Sequence, residues 1–175
     1  MTAGQALPSL DLLRVFVLTG PDTCSASESI INSLRGIGVP VVQVGSTTCG
    51  KPYGFYPQDN CGTTYFSIEF RGINNQDFGD YPDGFTPANS RTASDPLTTV
   101  PGCSVLDDFT HALGDPAEAR LAAALNYRAT NGASCPPPTG VAMMRANRPL
   151  SAVDAMLPPS PLRQMRMLRI LPSRR

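Results

Sequence analysis

The stretch "VFVLTGPDTCSASESIINSLRGIGVPVVQVG", Val15 to Gly45, decides the fold. It opens inside Asp11–Gly20, which reads as a strand, with the dense Val15–Leu18 run of one buried on both faces. "PDTCS" turns the chain, and from Ala26 to Arg35 the residues Ile30, Ile31 and Leu34 fall on one side of a helix. Gly36 and Gly38 end that helix, and Val39–Gly45 reads as a second buried strand. Strand, helix and strand within about 35 residues make a βαβ unit, for which a right-handed crossover is the rule. The turn after the first strand and the loop after the second then lie at the carboxyl ends of adjacent parallel strands. Open α/β sheets place their sites there.

Outward from this unit the signals thin. "TTYFSIEF" (63–70) alternates, with Phe66, Ile68 and Phe70 on one face of a half-exposed strand. Residues 72–102, rich in Gly, Pro, Asn and Asp, read as a long loop. "GDPAEARLAAAL" predicts a helix with Asp115 as cap, Pro116 in first position and Glu118 closing a capping box. "DDFTHAL" reads as a separate, exposed helical turn carrying His111, the only histidine. "SCPPPTG" closes a domain spanning 1–135, and 136–175 forms a Pro- and Arg-rich tail expected to be disordered.

The chain has 175 residues, enough for one core plus a tail, and its zero formal charge conceals an asymmetry. Up to Cys135 there are 7 basic and 13 acidic residues; from Pro136 onward there are 7 Arg and one Asp, Asp154. In the tail, Leu162, Met165, Leu168 and Leu171 line one stripe beside Arg163, Arg166 and Arg169. Such a pattern suits an anionic surface, but the segment is short, so disorder is preferred and no membrane contact is expected. Aromatic residues do not interleave with the basic ones, so nucleic-acid binding is not expected either. No run of 18 apolar residues occurs, and the N-terminus lacks the pattern of a signal peptide.

Five cysteines, at 24, 49, 61, 103 and 135, form neither a C-x-x-C pair nor a Cys/His cluster, so no metal or cofactor is expected. Their number suggests an oxidising compartment, periplasmic or extracellular, with the signal encoded upstream. Cys49 and Cys61 bracket a loop they could staple, Cys103 and Cys135 could tie down the C-terminal helices, and Cys24 would be left over. Sequence alone does not fix the connectivity.

Two loops carry the candidate chemistry. Ser25 stands where a buried strand passes into a helix, and amides at a helix start are unpaired and partly positive. That position suits a nucleophile with an oxyanion site beside it, and the small neighbours Ala26 and Ser27 let a carbonyl approach. "S-A-S-E" equally describes a capping box of Ser25 and Glu28. Lys51 is the only lysine against 13 arginines. Lysine can lose its proton inside a protein and arginine effectively cannot, so Lys51 is a candidate base. Chance in an Arg-biased composition is the alternative. A basic role needs desolvation, for which Pro52, Tyr53 and Phe55 offer walls.

The paired motifs "TCSASE" and "TCGK", about 25 residues apart in this strand–helix–strand context, resemble the catalytic segment of the C-terminal processing (tail-specific) serine peptidases. The resemblance covers residues 11–55 well and the remainder loosely. It implies a partial crotonase/ClpP-like α/β core, an additional strand and C-terminal helices. It further implies an endopeptidase with a Ser–Lys dyad: Ser25 as nucleophile, Lys51 as base, the Ala26 amide as oxyanion donor and Glu28 as an orienting group. Where many members carry a Gln four residues past the lysine, this chain has Phe55. The family also has an upstream PDZ-type module and the first half of the core, including a Gly amide of the oxyanion hole. Met1 therefore reads as an internal start, with weak or no activity expected of this piece on a polypeptide substrate. The alternative is a non-catalytic module of the same fold binding a peptide or apolar ligand; a weaker third is an interaction protein working through the Arg tail.

Overall fold

Val15–Thr19 (β1) and Val41–Gly45 (β2) run parallel in the computed structural model, Val15 opposite Val41 and Thr19 opposite Gly45. The structure describes residues 10–139. Between the two strands lies the helix Ala26–Gly36 (α1), so the expected strand–helix–strand unit forms. Both strands are shorter than the segments read as strand, Asp11–Gly20 and Val39–Gly45. Pro40 has no N–H to give to a ladder, and its carbonyl instead accepts the Val15 N–H at 2.9 Å. Asp11 takes a positive φ of 47°, which breaks the extended backbone before β1.

A third parallel strand, Gly102–Ser104 (β9), pairs with β2 on the side away from β1, giving the order β1-β2-β9. It falls at the end of the segment read as loop. Within that segment lies a short parallel pair, Thr86–Pro87 (β7) with Thr99–Val100 (β8). The segment "TTYFSIEF" does not form one strand. It divides into Thr63–Tyr65 (β5), paired with Gln58–Asn60 (β4), and Ile68–Arg71 (β6), paired with Tyr53–Phe55 (β3). Both faces of this ribbon are exposed.

One helix, Ala119–Ala129 (α2), follows among the described residues where C-terminal helices are expected. It starts later than predicted. Asp115 holds a preceding turn by accepting the Ala117 N–H at 2.9 Å. Glu118 then caps the helix, taking the Arg120 and Leu121 amides at 3.0 and 2.8 Å.

The two faces of the sheet carry separate cores. On the α2 face Val42, Val44, Cys103, Val105, Ala123 and Ala124 pack with Phe16 and Tyr127. On the other, Val41, Ile31 of α1, Tyr81, Phe85 and Val100 pack with Val17 and Leu34. Alternation along β2 sends Val42 and Val44 one way and Val41 the other, as a strand covered on both sides requires. The result is an α/β arrangement with a helix on each face. Past Cys135 the chain still holds to the sheet, with the Thr139 N–H donating to the Ser104 carbonyl at 3.1 Å. The basic tail and its apolar stripe at Leu162–Leu171 lie outside the described residues.

Candidate functional site

The turn out of β1 is tight. The Thr23 N–H donates to the Gly20 carbonyl and the Gly20 N–H to the Thr23 hydroxyl, at 3.0 and 2.9 Å. Ser25 follows with φ 53° and ψ −109°, a left-handed conformation that non-glycine residues adopt rarely and at a cost of about 1–3 kcal/mol. Its backbone is pinned on both sides. The Ser25 N–H donates to Glu28 Oε2 at 2.8 Å, and its carbonyl accepts the Ser29 N–H at 2.9 Å. The hydroxyl faces the Glu28 amide as in a capping box but closes no regular capping hydrogen bond. Ser25 is exposed.

Helix starts leave amides without intrahelical partners. At α1 the Ser27 and Ser29 amides find the Cys24 and Ser25 carbonyls, whereas the Ala26 N–H has no acceptor among the described residues. It is a donor beside the Ser25 hydroxyl, where an oxyanion would need one.

Glu28 is the hub of the site. Its side chain is wholly buried, and both oxygens act as acceptors. Oε1 takes the Thr48 hydroxyl at 2.6 Å and the Gly50 N–H at 2.7 Å. Oε2 takes the Ser25 and Lys51 N–H groups, each at 2.8 Å. One oxygen thus places the two backbone nitrogens within two hydrogen-bond lengths of each other. Thr48 extends the network, accepting the Phe85 N–H on its hydroxyl at 2.7 Å. Gly50 has φ 78° and lies against the Pro82 carbonyl, where a Cβ would collide; the Lys51 turn requires glycine there.

A disulfide links the same two loops. Cys24 bonds to Cys49 with a Cα–Cα separation of 5.3 Å, and the Cys49 N–H also donates to the Thr23 carbonyl at 3.0 Å. The expected Cys49–Cys61 staple does not form. The ribbon carries Cys61 to the turn between β4 and β5, exposed and unpaired, so Cys24 is not the residue left over. Cys103 pairs with Cys135, as expected.

The side chain of Lys51 is less constrained than its amide. Lys51 is exposed, and no carboxylate forms an ion pair with it among the described residues. Of the proposed walls, Pro52 is buried, while Tyr53 and Phe55 remain about half exposed. Glu28 holds the amide of Lys51 rather than its ammonium.

Beneath α1, burial pushes the Tyr81 phenol above its ordinary pKa, a hydrogen bond with Ser29 opposes this, and the Glu28 carboxylate adds to the rise. His111 lies apart after β9, exposed, with Nδ1 at 2.7 Å from Asp108 Oδ2. Bonds from the Thr110 hydroxyl, the Thr110 amide and His111 hold the Asp108 carboxyl down at about 2. No cluster of metal-ligating side chains occurs among the described residues.

Thr48, Tyr81 and the Cys24–Cys49 pairing escape the sequence reading. The pairing leaves one trace there, since each cysteine lies one or two residues before a candidate catalytic residue. Compared with models of known families, with curated proteins and with solved structures, the chain matches none.

Proposed function

We propose that the chain is a serine hydrolase acting on polypeptides, built on part of a crotonase-like core, with Ser25 as nucleophile and Lys51 as base. The carrying observation is the shared acceptor: Glu28 Oε2 takes the Ser25 and Lys51 amides together, so two loops distant in sequence meet at one buried atom. The strained Ser25 backbone supports the reading, because strand-to-helix turns of this kind expose a nucleophile. In the proposed reaction the Ser25 hydroxyl attacks the peptide carbonyl while Lys51 Nζ takes its proton. The Ala26 N–H stabilises the oxyanion. Lys51 then returns the proton to the leaving amine, and water it activates releases the acyl group. By resemblance, the substrate is a polypeptide cut near its C-terminus.

A second reading has its own support. Lys51 is exposed, whereas a lysine acting as base is ordinarily sheltered from water. A module that binds a peptide or apolar ligand without cleaving it needs no shelter for this amine. In either case two disulfides favour an oxidising compartment, periplasmic or extracellular.

Incubation with an unstructured polypeptide, followed by mass spectrometry, separates the two. Cleavage that disappears in Ser25→Ala and falls about 100-fold or more in Lys51→Ala supports the dyad. Peptide binding without cleavage, or cleavage untouched by Ser25→Ala, supports the module instead.

A further inference from the structure

Beyond Lys51 the chain leaves the sheet as a two-stranded ribbon, residues 53–71, in which every residue but Gly54 is exposed. Seven large apolar or aromatic side chains stand on it: Tyr53, Phe55, Tyr56, Tyr65, Phe66, Ile68 and Phe70, between 44% and 69% exposed. Their ring contacts are with one another, Phe55 edge-on to Phe66 at 5.3 Å and Tyr56 tilted against Phe70 at 5.2 Å. A ribbon of two strands without a covering layer is only marginally stable in water. An apolar patch of this extent on a monomer marks an interaction surface.

Size and charge indicate what covers it. Seven half-exposed side chains present on the order of 700 Å², close to the ~800 Å² each partner contributes to a standard interface. The ribbon's charges are occupied locally: Glu69 receives Gln58 at 3.4 Å, Arg71 faces Asp80 at 4.0 Å, and Asp59 accepts the Thr64 hydroxyl at 2.6 Å. Neither sign dominates, so nothing here selects a polyanion or a polycation. The same patch on a second copy meets it without charge conflict, as an isologous two-fold contact requires. An independent feature agrees. Four of the five cysteines are paired, and the odd thiol, Cys61, is exposed at the tip of this ribbon. An odd cysteine among oxidised ones is either a reactive thiol or a site of pairing between chains, and the apolar patch around it fits the second.

We propose that residues 53–71 form an arm through which two copies of this chain associate, with Cys61 at the edge of the contact. The inference does not depend on the chemistry of Ser25. Sedimentation equilibrium of the full chain, in a Cys61→Ser background so that oxidation cannot imitate association, tests it. A dimer is expected at concentrations up to about 100 μM, beyond the weak end of affinities for interfaces of this size. Adding Phe55→Ser and Ile68→Ser should weaken dimerisation at least tenfold while the circular dichroism and thermal midpoint of the sheet and helices stay unchanged. A monomer throughout that range overturns the proposal and leaves the ribbon to another partner. A dimer unaffected by the double change overturns it as well, since association then uses a different surface.

Discussion

At the scale of single residues, Glu28 holds more than any other side chain in the site. Each oxygen accepts two hydrogen bonds, so no orientation of an amide in its place satisfies all four donors. Glu28→Gln turns an NH₂ group toward two of them. Leaving two buried donors unmet should cost about 3 kcal/mol or more, read as a loss of unfolding free energy in urea. A loss below about 1 kcal/mol would mean that the network is looser than its distances imply. Ser25 makes a different prediction. Its positive φ suits glycine, so Ser25→Gly should be more stable than Ser25→Ala by about 1 kcal/mol, although both lose the hydroxyl. Equal stabilities would contradict strain at this position.

Ser25, Glu28 and Lys51 are legible in the sequence because their signals are local: a cap motif ahead of an apolar helix, and one lysine among many arginines. The partners of Glu28 are not. Three of its four bonds reach across 20 to 23 residues, to Thr48, Gly50 and Lys51, and nothing in a helical period announces where such a carboxylate points. The disulfide partner of Cys49 is hidden for the same reason. Chain proximity favours Cys61, but the ribbon carries that residue away while the parallel strands bring Cys24 alongside.

At the scale of elements, β1, α1 and β2 are readable since each has enough residues to express a period. The strand β9 has three residues and no period, and its place is set by tertiary contact. Gly102, with φ 141°, lies so close to the Gln43 carbonyl that a Cβ would clash, which lets the chain pair along β2. The loop after β9 carries a pH prediction. Asp108 titrates at about 2 because Thr110 and His111 donate to it, below the ordinary value of 3.8. Since its folded pKa is depressed, the contribution of these bonds is present above pH 3.8 and is lost as pH falls through about 2. Carboxyl NMR should therefore show a midpoint for Asp108 near 2. Thr110→Val removes the largest single cause and should move that midpoint upward; an unmoved midpoint would assign the shift elsewhere.

At the scale of the whole molecule, a three-stranded parallel sheet directs its carboxyl ends to one rim, and the first two of those ends carry Ser25 and Lys51. The disulfide and the buried carboxylate lock the two loops in a shared frame, while the Lys51 side chain itself stands in solvent. A strongly activated phosphonylating agent asks less of such a base than a peptide bond does, so it reports on the pair directly. The decisive measurement is the rate at which an aryl phosphonate ester modifies the chain, followed by intact mass and peptide mapping. A working pair predicts a single adduct on Ser25, formed at least about 100-fold more slowly in Lys51→Ala. An adduct spread over several hydroxyls, or one on Ser25 whose rate ignores Lys51, would contradict it.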